Sequence, residues 1–240
     1  MLGIIPSLPY LYISMIKIKK IQKNIYIIKE EFYAEHANLY LFVGKNKCLL
    51  IDAGVGIYDI RRFLEKSEFK NIYVLPTHEH YDHIGGLKYF SPKNIFITRE
   101  IYKNIKDKKL LGLEYFSPRD LSSGSKKLGK KYSIQIPKIK LYIQNSITLE
   151  DFDFEIIKAP GHTDSSIMLF EKNTKLLVSG DALYDGKPYF DLPNSNITDL
   201  KKTLKEIKKL KFKTLLPGHN QMLSKSESNK VISKWLKILA

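Results

Sequence analysis

Residues 77–86 read THEHYDHIGG, and this stretch is the strongest signal in the sequence. An apolar run at residues 72–75 precedes it, and Gly-Gly leads out of it towards a helix-like segment. The end of a strand in an α/β protein is a usual place for a ligand site. Because alternate residues of such a turn can point inward together, the HxH pair can meet one metal ion while the DH pair reaches a second. The four potential ligands are His78, His80, Asp82 and His83.

Three more candidate ligands follow β-type runs farther along the chain. They are His162 in APGHT, Asp181 in SGD and His219 in LPGH. A glycine stands directly before each of them, which lets the backbone turn sharply and approach closely. Imidazole and carboxylate together suit zinc, with manganese or iron as alternatives where carboxylate and water are plentiful. The sequence therefore predicts a metal site whose ligands come from four places in the chain.

Each candidate also has an ordinary structural interpretation. A single histidine is more often a surface or core residue than a ligand, and for His162 or His219 alone that interpretation is the better one. Asp181 alone could be a cap or turn residue, and Asp82 alone could cap the following helix. The whole set is different, because five of the six histidines would have to gather at the ends of β-type runs by accident. The sixth, His36, is predicted to be non-catalytic and to lie near the rim of the site.

The order HxHxDH, followed by separate His, Asp and His, resembles the metallo-β-lactamase superfamily over residues 24–223. The resemblance implies an α/β fold, a four-layer αββα sandwich. It implies a site for two metal ions, with zinc the first choice, in which Asp181 bridges both. It also assigns three further ligands to each ion: His78, His80 and His162 to the first, and Asp82, His83 and His219 to the second.

Two residues outside this set are predicted to orient it. Asp52, in IDAG, matches the strand-end acid of the family and is implied to hold a ligand in place, with a turn aspartate as a fair alternative. Thr77 is predicted to act in the same way. The implied chemistry is hydrolysis by a hydroxide shared between two metals. Asp82 and His83 are the predicted catalytic residues, and Asp82 would orient the hydroxide or receive a proton.

Short β-type runs rich in Ile, Val, Leu and Tyr occur in two similar sets. Amphipathic segments predict helices around residues 57–64, 200–210 and 231–236, with Thr198 and Asp199 as candidate caps of the second. This pattern predicts two sheets back to back with helices outside. The predicted strands are residues 25–28, 39–43, 48–51, 72–75 and 95–98, and then 140–143, 154–157, 167–170, 176–178 and 214–216.

The length of 240 residues allows one large α/β domain or two small ones, and one domain over residues 15–240 is the prediction. Residues 1–14 are predicted to be an N-terminal extension. The opening segment has no leading positive charge, no small-residue cleavage site and too short an apolar stretch for a membrane span. Residues 106–133, rich in Lys, Gly and Ser, form either a solvated surface excursion or a partly helical lid over the site.

The formal net charge of +15 invites a nucleic-acid function, because a basic surface attracts phosphates. Only four of the 40 basic residues are arginines, whose forked side chain is the usual bidentate ligand of phosphate groups. A nucleic-acid partner is therefore not predicted. The predicted partner is a small anionic molecule. The single cysteine, Cys48, rules out an intramolecular disulfide and favours a reducing compartment, the cytoplasm.

Residues 180–186 read GDALYDG, and this GDxxYDG form, with DLP at 191–193, resembles the acyl-CoA thioesterase branch of the superfamily. Hydroxyacylglutathione hydrolase, also a thioesterase, is a looser match. The predicted substrate is therefore a thioester of acyl-CoA or S-acylglutathione type. Tyr184 and Lys187 are predicted to face it, with loop packing and a solvated lysine as the equal alternative. Lactonase, β-lactamase and phosphodiesterase or nuclease activities are alternatives on the same fold, and a basic nucleic-acid-binding protein with a structural metal site is the alternative outside enzymes.

Overall fold

The computed structural model describes residues 15–122 and 126–239. The predicted extension over residues 1–14 lies outside the described residues, and the single domain over residues 15–240 stays a prediction. The strands are β1 Lys17–Gln22, β2 Ile25–Lys29, β3 Asn38–Val43, β4 Cys48–Ile51, β5 Ile72–Leu75, β6 Phe96–Ile97, β7 Leu141–Tyr142, β8 Ser146–Leu149, β9 Phe152–Lys158, β10 Ile167–Glu171, β11 Leu176–Gly180, β12 Thr214–Pro217 and β13 Leu223–Ser224. The helices are α1 Ile60–Lys66, α2 Tyr81–Ile84, α3 Arg99–Asn104, α4 Lys126–Gly129, α5 Ile197–Lys209 and α6 Lys225–Ile238, with 3-10 turns at Gly85–Tyr89, Pro92–Asn94, Lys108–Leu110, Leu113–Tyr115 and Pro118–Asp120. Among the helices of these ranges, none has both the length and the apolar character needed to cross a membrane.

Two mixed sheets form the body of the protein. The first has the order β1-β2-β3-β4-β5, and the second has the order β13-β12-β11-β10-β9-β8. In each sheet a run of antiparallel neighbours leads to one parallel pair, β4 with β5 and β11 with β12. Parallel neighbours need a crossover connection, which contains α1 in the first half and α5 in the second. The two halves of the chain therefore repeat one folding pattern.

The two sheets pack face to face, with helices on the outside. Phe42 of β3 meets Phe154 of β9 edge to face, with ring centroids 4.9 Å apart. In β11, Val178 belongs to the core between the sheets, whereas Leu177 packs in a second cluster with Trp235 of α6. This alternation is what a strand buried on both faces requires. Helix α1 joins the core cluster of the first sheet, so the predicted αββα architecture is confirmed.

All ten predicted strands occur, with ends displaced by no more than two residues. Strands β1, β8 and β13 were not predicted; β1 reads KIKKIQ and stays largely exposed, so it lacks the apolar signal of a strand. The predicted caps of α5 were wrong. Asn196 is the cap, because its side chain accepts from the backbone N–H of Asp199, and the helix therefore begins at Ile197.

The carboxyl ends of several strands meet at one edge of the sandwich. Strands β4 and β5 run parallel, as do β11 and β12, and β9 runs in the same direction as β11 because both are antiparallel to β10. Backbone hydrogen bonds join the two halves at this edge, from Ile167 to the Thr77 carbonyl at 2.9 Å and from Asn38 to the Gly218 carbonyl at 2.6 Å. The segments that carry the candidate ligands all begin here.

Candidate metal centre

Three histidine side chains converge on one point. The Nε2 atom of His78 lies 3.1 Å from Nδ1 of His80, and Nε2 of His162 lies 2.9 Å from the same Nδ1. All three residues are buried. Nitrogens bound at about 2.0–2.1 Å in a zinc tetrahedron stand about 3.3 Å apart, so this spacing fits three ligands of one ion. The structure thus brings together the residues predicted for the first metal.

A second group lies beside the first. The Nε2 atom of His219 is 3.2 Å from Oδ2 of Asp82, and Nε2 of His83 is 3.5 Å from that oxygen. Asp181 stands between the groups, with Oδ1 3.4 Å from His83 Nε2. Its Oδ2 is 3.5 Å from His162 Nε2 and 3.2 Å from His219 Nε2. One carboxylate therefore contacts both groups, which is the position that a bridging ligand needs.

The chemistry of these side chains fits divalent metal ions. Two of their buried atoms, Nε2 of His83 and Oδ1 of Asp181, have no hydrogen-bond partner within the described part of the chain, although buried polar atoms are normally paired. Burial lowers the pKa of His219, but the neighbouring Asp181 and Asp82 carboxylates raise it more, to about 10. The second ligand group therefore favours a positive charge at its centre. Burial lowers the pKa of His80 to about 3, which keeps its ring neutral and able to bind a metal.

Asp52 and Thr77 lie directly behind the ligands. The Nδ1 atom of His83 is 2.8 Å from Asp52 Oδ2, which leaves Nε2 to face the second group. The backbone N–H of Thr77 donates to Asp52 Oδ1 at 2.7 Å, and the Thr77 hydroxyl lies 3.1 Å from Nδ1 of His78. Contacts of this kind fix the angle and tautomer of a ligand histidine. Both residues therefore occupy positions from which they can orient the ligands.

Glycines allow the ligand segments to approach one another. Gly161, before His162, has a φ of 141°, which side-chain-bearing residues rarely adopt. Gly218, before His219, lies so close to the bridging position that a Cβ atom there would stand 2.1 Å from Oδ1 of Asp181. Gly161 therefore allows a sharp turn and Gly218 allows a close approach, as the sequence predicted for the glycines before the ligands.

A pocket of about 240 Å³ opens onto the metal centre. Segment 106–133, predicted as a surface excursion or a lid, supplies part of its wall through Gly112, Tyr115 and Asp120. Its described parts, residues 106–122 and 126–133, contain 3-10 turns and the short helix α4. The choice between a surface excursion and a lid stays a prediction. The ring of Tyr115 lies near that of Tyr189, which also lines the pocket, with centroids 6.2 Å apart.

A sequence model of the metallo-beta-lactamase superfamily matches residues 33–219, which include all seven candidate ligands. The chain belongs to the metallo-β-lactamase superfamily. It is accordingly a hydrolase, and the donor set implies that this metallo-β-lactamase-family protein uses a divalent metal.

Curated relatives of this superfamily member extend along most of the chain. It is 26% identical over 237 residues to the acyl-coenzyme A thioesterase MBLAC2 of Gallus gallus, covering 91% of this chain and 85% of that protein. It is 29% identical to a probable metallo-hydrolase of Methanocaldococcus jannaschii, covering 82% of this chain and 93% of that protein. Among solved structures, a metallo-beta-lactamase family protein of Thermus thermophilus superposes with a TM-score of 0.71 at 16% identity, covering 91% of this chain and 80% of that one. The last likeness supports the fold alone.

Tyr184 and Lys187, the two residues predicted to contact the substrate, differ in their exposure. Tyr184 is buried, with its ring centroid 5.8 Å from that of His219 and its hydroxyl donating to the Lys187 carbonyl at 2.6 Å. Lys187 is exposed, and its side chain is not part of the pocket wall described above. Their roles towards substrate stay predictions.

Among the described residues, His36 belongs to neither of the two ligand groups. Its Nδ1 atom lies 2.7 Å from the Tyr33 carbonyl. The neighbouring residue Glu35 lines the pocket. The predicted non-catalytic role of His36 stays a prediction.

Several residues that hold the site were missed from the sequence. Asn38 at the start of β3 donates from its amide to the carbonyls of Pro217 and Asn220, at 3.0 and 2.9 Å, and the Tyr40 hydroxyl donates to Pro217 at 2.8 Å. These contacts clamp the loop that carries His219. The only signal was two polar groups within an apolar strand. Glu79, inside the motif itself, was also missed.

Proposed function

We propose that this protein is a metal-dependent thioester hydrolase that acts on acyl-CoA-type substrates. The observation that carries the proposal is the likeness, over 91% of the chain, to a protein described as an acyl-coenzyme A thioesterase. The GDxxYDG segment at residues 180–186 supports the same branch of the family. S-acylglutathione is the second thioester class that this proposal includes.

Seven residues would hold two zinc ions, with manganese or iron as the alternatives. Asp181 would bind both ions, in keeping with its contacts to both groups. When bound, two such ions supply a water of lowered pKa near neutral pH and polarise an acyl carbonyl. The other ligands would be His78, His80 and His162 in the first group, and Asp82, His83 and His219 in the second.

The chain's own residues would orient the reactants and move the proton. Asp82 lines the pocket, where its carboxylate can align the attacking water and take its proton. The water oxygen forms a bond to the acyl carbon, the carbon–sulfur bond breaks, and the thiolate takes up the proton that Asp82 received, so that it leaves as the thiol. Asp52 would keep His83 aligned through its 2.8 Å contact to Nδ1. No serine or cysteine nucleophile is required.

The pocket walls fit the acyl part of such a substrate. Tyr115, Tyr189 and Leu192 offer apolar surface for a carbon chain. Lys187 is exposed on the loop after Asp181, so we keep it as a contact for the anionic thiol portion, with Tyr184 supporting His219. The cytoplasmic location inferred from the single cysteine, which is buried as Cys48, belongs to this proposal as well.

A substrate panel tests the proposal. The zinc-loaded protein would be assayed with acyl-CoA, S-acylglutathione, a lactone, nitrocefin and bis-p-nitrophenyl phosphate, beside His80→Ala and the matched control His36→Ala. We expect preferential thioester cleavage by the wild type and His36→Ala, and its loss in His80→Ala. Preference for a non-thioester substrate would contradict the substrate class. Absence of any turnover with zinc, manganese or iron would favour the binding-protein alternative.

A further inference from the structure

Glu79 stands between two proposed ligands, but its carboxylate contacts a different set of side chains. The residue is fully buried. Its Oε1 accepts hydrogen bonds from the amides of Asn104 at 2.9 Å and Asn194 at 2.5 Å. Its Oε2 accepts from the hydroxyl of Thr163 at 3.2 Å and from that of Ser165. A buried carboxylate is costly unless it is hydrogen bonded, and four uncharged donors meet that requirement here.

These donors lie next to the third proposed ligand of the first group. Thr163 follows His162 directly in the chain, and Ser165 is three positions after His162. The segment of Asn194 holds His162 from another side, because the Ser195 hydroxyl donates to the His162 carbonyl at 2.8 Å. Glu79 therefore links the segment that carries His162 to the segment that carries His78 and His80.

The first metal group depends on the distance between those two segments. His78 and His80 flank Glu79, and His162 faces them with Nε2 only 2.9 Å from Nδ1 of His80. The second group has other supports, since Asp52 contacts His83 and Asn38 clamps the loop of His219. Loss of the Glu79 carboxylate should therefore affect the two groups unequally.

We propose that Glu79 is a positioning residue that holds His162 against His78 and His80 and so sets the metal affinity of the first group. The inference rests on the metal assignment of the proposed function and not on its substrate. A wild-type protein that binds zinc but cleaves no thioester would contradict the proposed substrate class alone.

The chain offers a matched control in Glu171 at the end of β10. It is also fully buried and accepts from the backbone N–H groups of Asp153 at 3.0 Å and Thr174 at 2.6 Å, and from the Thr174 hydroxyl at 2.5 Å. Ile167, at the beginning of β10, lies at the edge of the sandwich that carries the ligands. Glu171 is at the opposite end of the same strand, away from the site. Glu171→Ala thus removes a comparable carboxylate away from the metal centre.

Zinc affinity, measured by competition with a chromophoric chelator, tests the inference. We expect Glu79→Ala to weaken one of two zinc equivalents about 10- to 100-fold while the other stays at the wild-type affinity. Glu79→Gln should restore most of the loss, because its carbonyl still accepts from the two amides and its amide can donate to the hydroxyls. Glu171→Ala should bind both equivalents normally.

Two results would overturn this role. One is wild-type affinity for both equivalents in folded Glu79→Ala, and the other is equal weakening in Glu79→Ala and Glu171→Ala, which would indicate general destabilisation. If Glu79→Ala does not fold, the double variant Thr163→Val/Ser165→Ala removes only the two hydroxyl donors. It should show the same selective weakening, and unchanged binding of both equivalents would reject the inference.

Discussion

Among single residues, Asp181 is the one on which we expect the proposed metal centre to depend most. Its carboxylate contacts His83, His162 and His219, so it serves both ligand groups. We expect Asp181→Ala to lose thioester turnover and zinc binding together, as judged by hydrolysis rates and elemental analysis. The exposed Asp185 on the same loop is the control, and Asp185→Ala should keep both properties. Retention of both by Asp181→Ala would refute the bridging role.

The buried carboxyl group of Glu30 should make the free energy of unfolding depend on pH. Burial raises the pKa of its carboxyl from 4.5 to about 8, although the backbone N–H of Val55 donates to it at 2.6 Å. The folded protein therefore favours the protonated form. The stability that Glu30 contributes is fully present below pH 4.5 and is lost as the pH rises through about 8, at up to about 1.4 kcal/mol per pH unit.

Urea unfolding of the zinc-loaded wild type and Glu30→Gln at several pH values measures this effect. Gln can still accept the Val55 hydrogen bond but cannot ionise. The stability of Glu30→Gln relative to the wild type should increase between pH 5 and about 8 and level off above. A difference that does not vary with pH would show that Glu30 does not titrate in this way.

The sequence indicated the candidate ligands and the supporting residues Asp52 and Thr77, but not Glu79 and Asn38. Four ligands lie within six positions, so their spacing is visible in a single line of sequence. Glu79 meets Asn194, which is 115 positions away, and Asn38 meets Pro217, which is 179 positions away. Such partners are created by the packing of the two halves, and neither residue type signals them locally.

At the scale of elements, the start of α6 offers a test of stability separate from function. Ser224 accepts from the backbone N–H of Glu227 at 3.2 Å, and the Glu227 carboxylate accepts from the Ser224 N–H at 2.7 Å, which is a complete capping box. We expect Ser224→Ala to lower the free energy of unfolding by about 1 kcal/mol and to leave kcat/KM unchanged.

The exposed Ser226, within the same first turn, is the matched control. Ser226→Ala should leave the urea midpoint nearly unchanged. Equal midpoints for the two variants would show that the cap does not stabilise α6.

Regular elements were predictable because burial imposes a period on them. The predicted strands carry continuous or alternating apolar residues, and α5 repeats Leu200, Leu204 and Ile207 on its buried face. Segment 106–122 is different, since its 3-10 turns are only three residues long and present no such face. Its position in the pocket wall depends on tertiary packing, which the sequence of the segment does not indicate.

At the scale of the whole molecule, the net charge of +15 should assist an anionic substrate through its long-range field. The pocket wall itself carries the acids Glu35 and Asp120, so any attraction must come from the wider surface. We expect kcat/KM for acyl-CoA to fall several-fold as salt shortens the Debye length from about 30 Å at 0.01 M to about 8 Å at 0.15 M. An uncharged thioester of N-acetylcysteamine should show little change. Salt-independent kinetics with acyl-CoA would remove the electrostatic contribution.

Reconstitution of the metal-free protein with zinc, with acyl-CoA hydrolysis followed at each addition, tests most directly whether the protein is a two-zinc thioester hydrolase. We expect no turnover without metal and a rise that reaches a plateau at two zinc equivalents per chain. Hydrolysis by the metal-free protein, or two bound equivalents without hydrolysis of any thioester, would contradict this expectation.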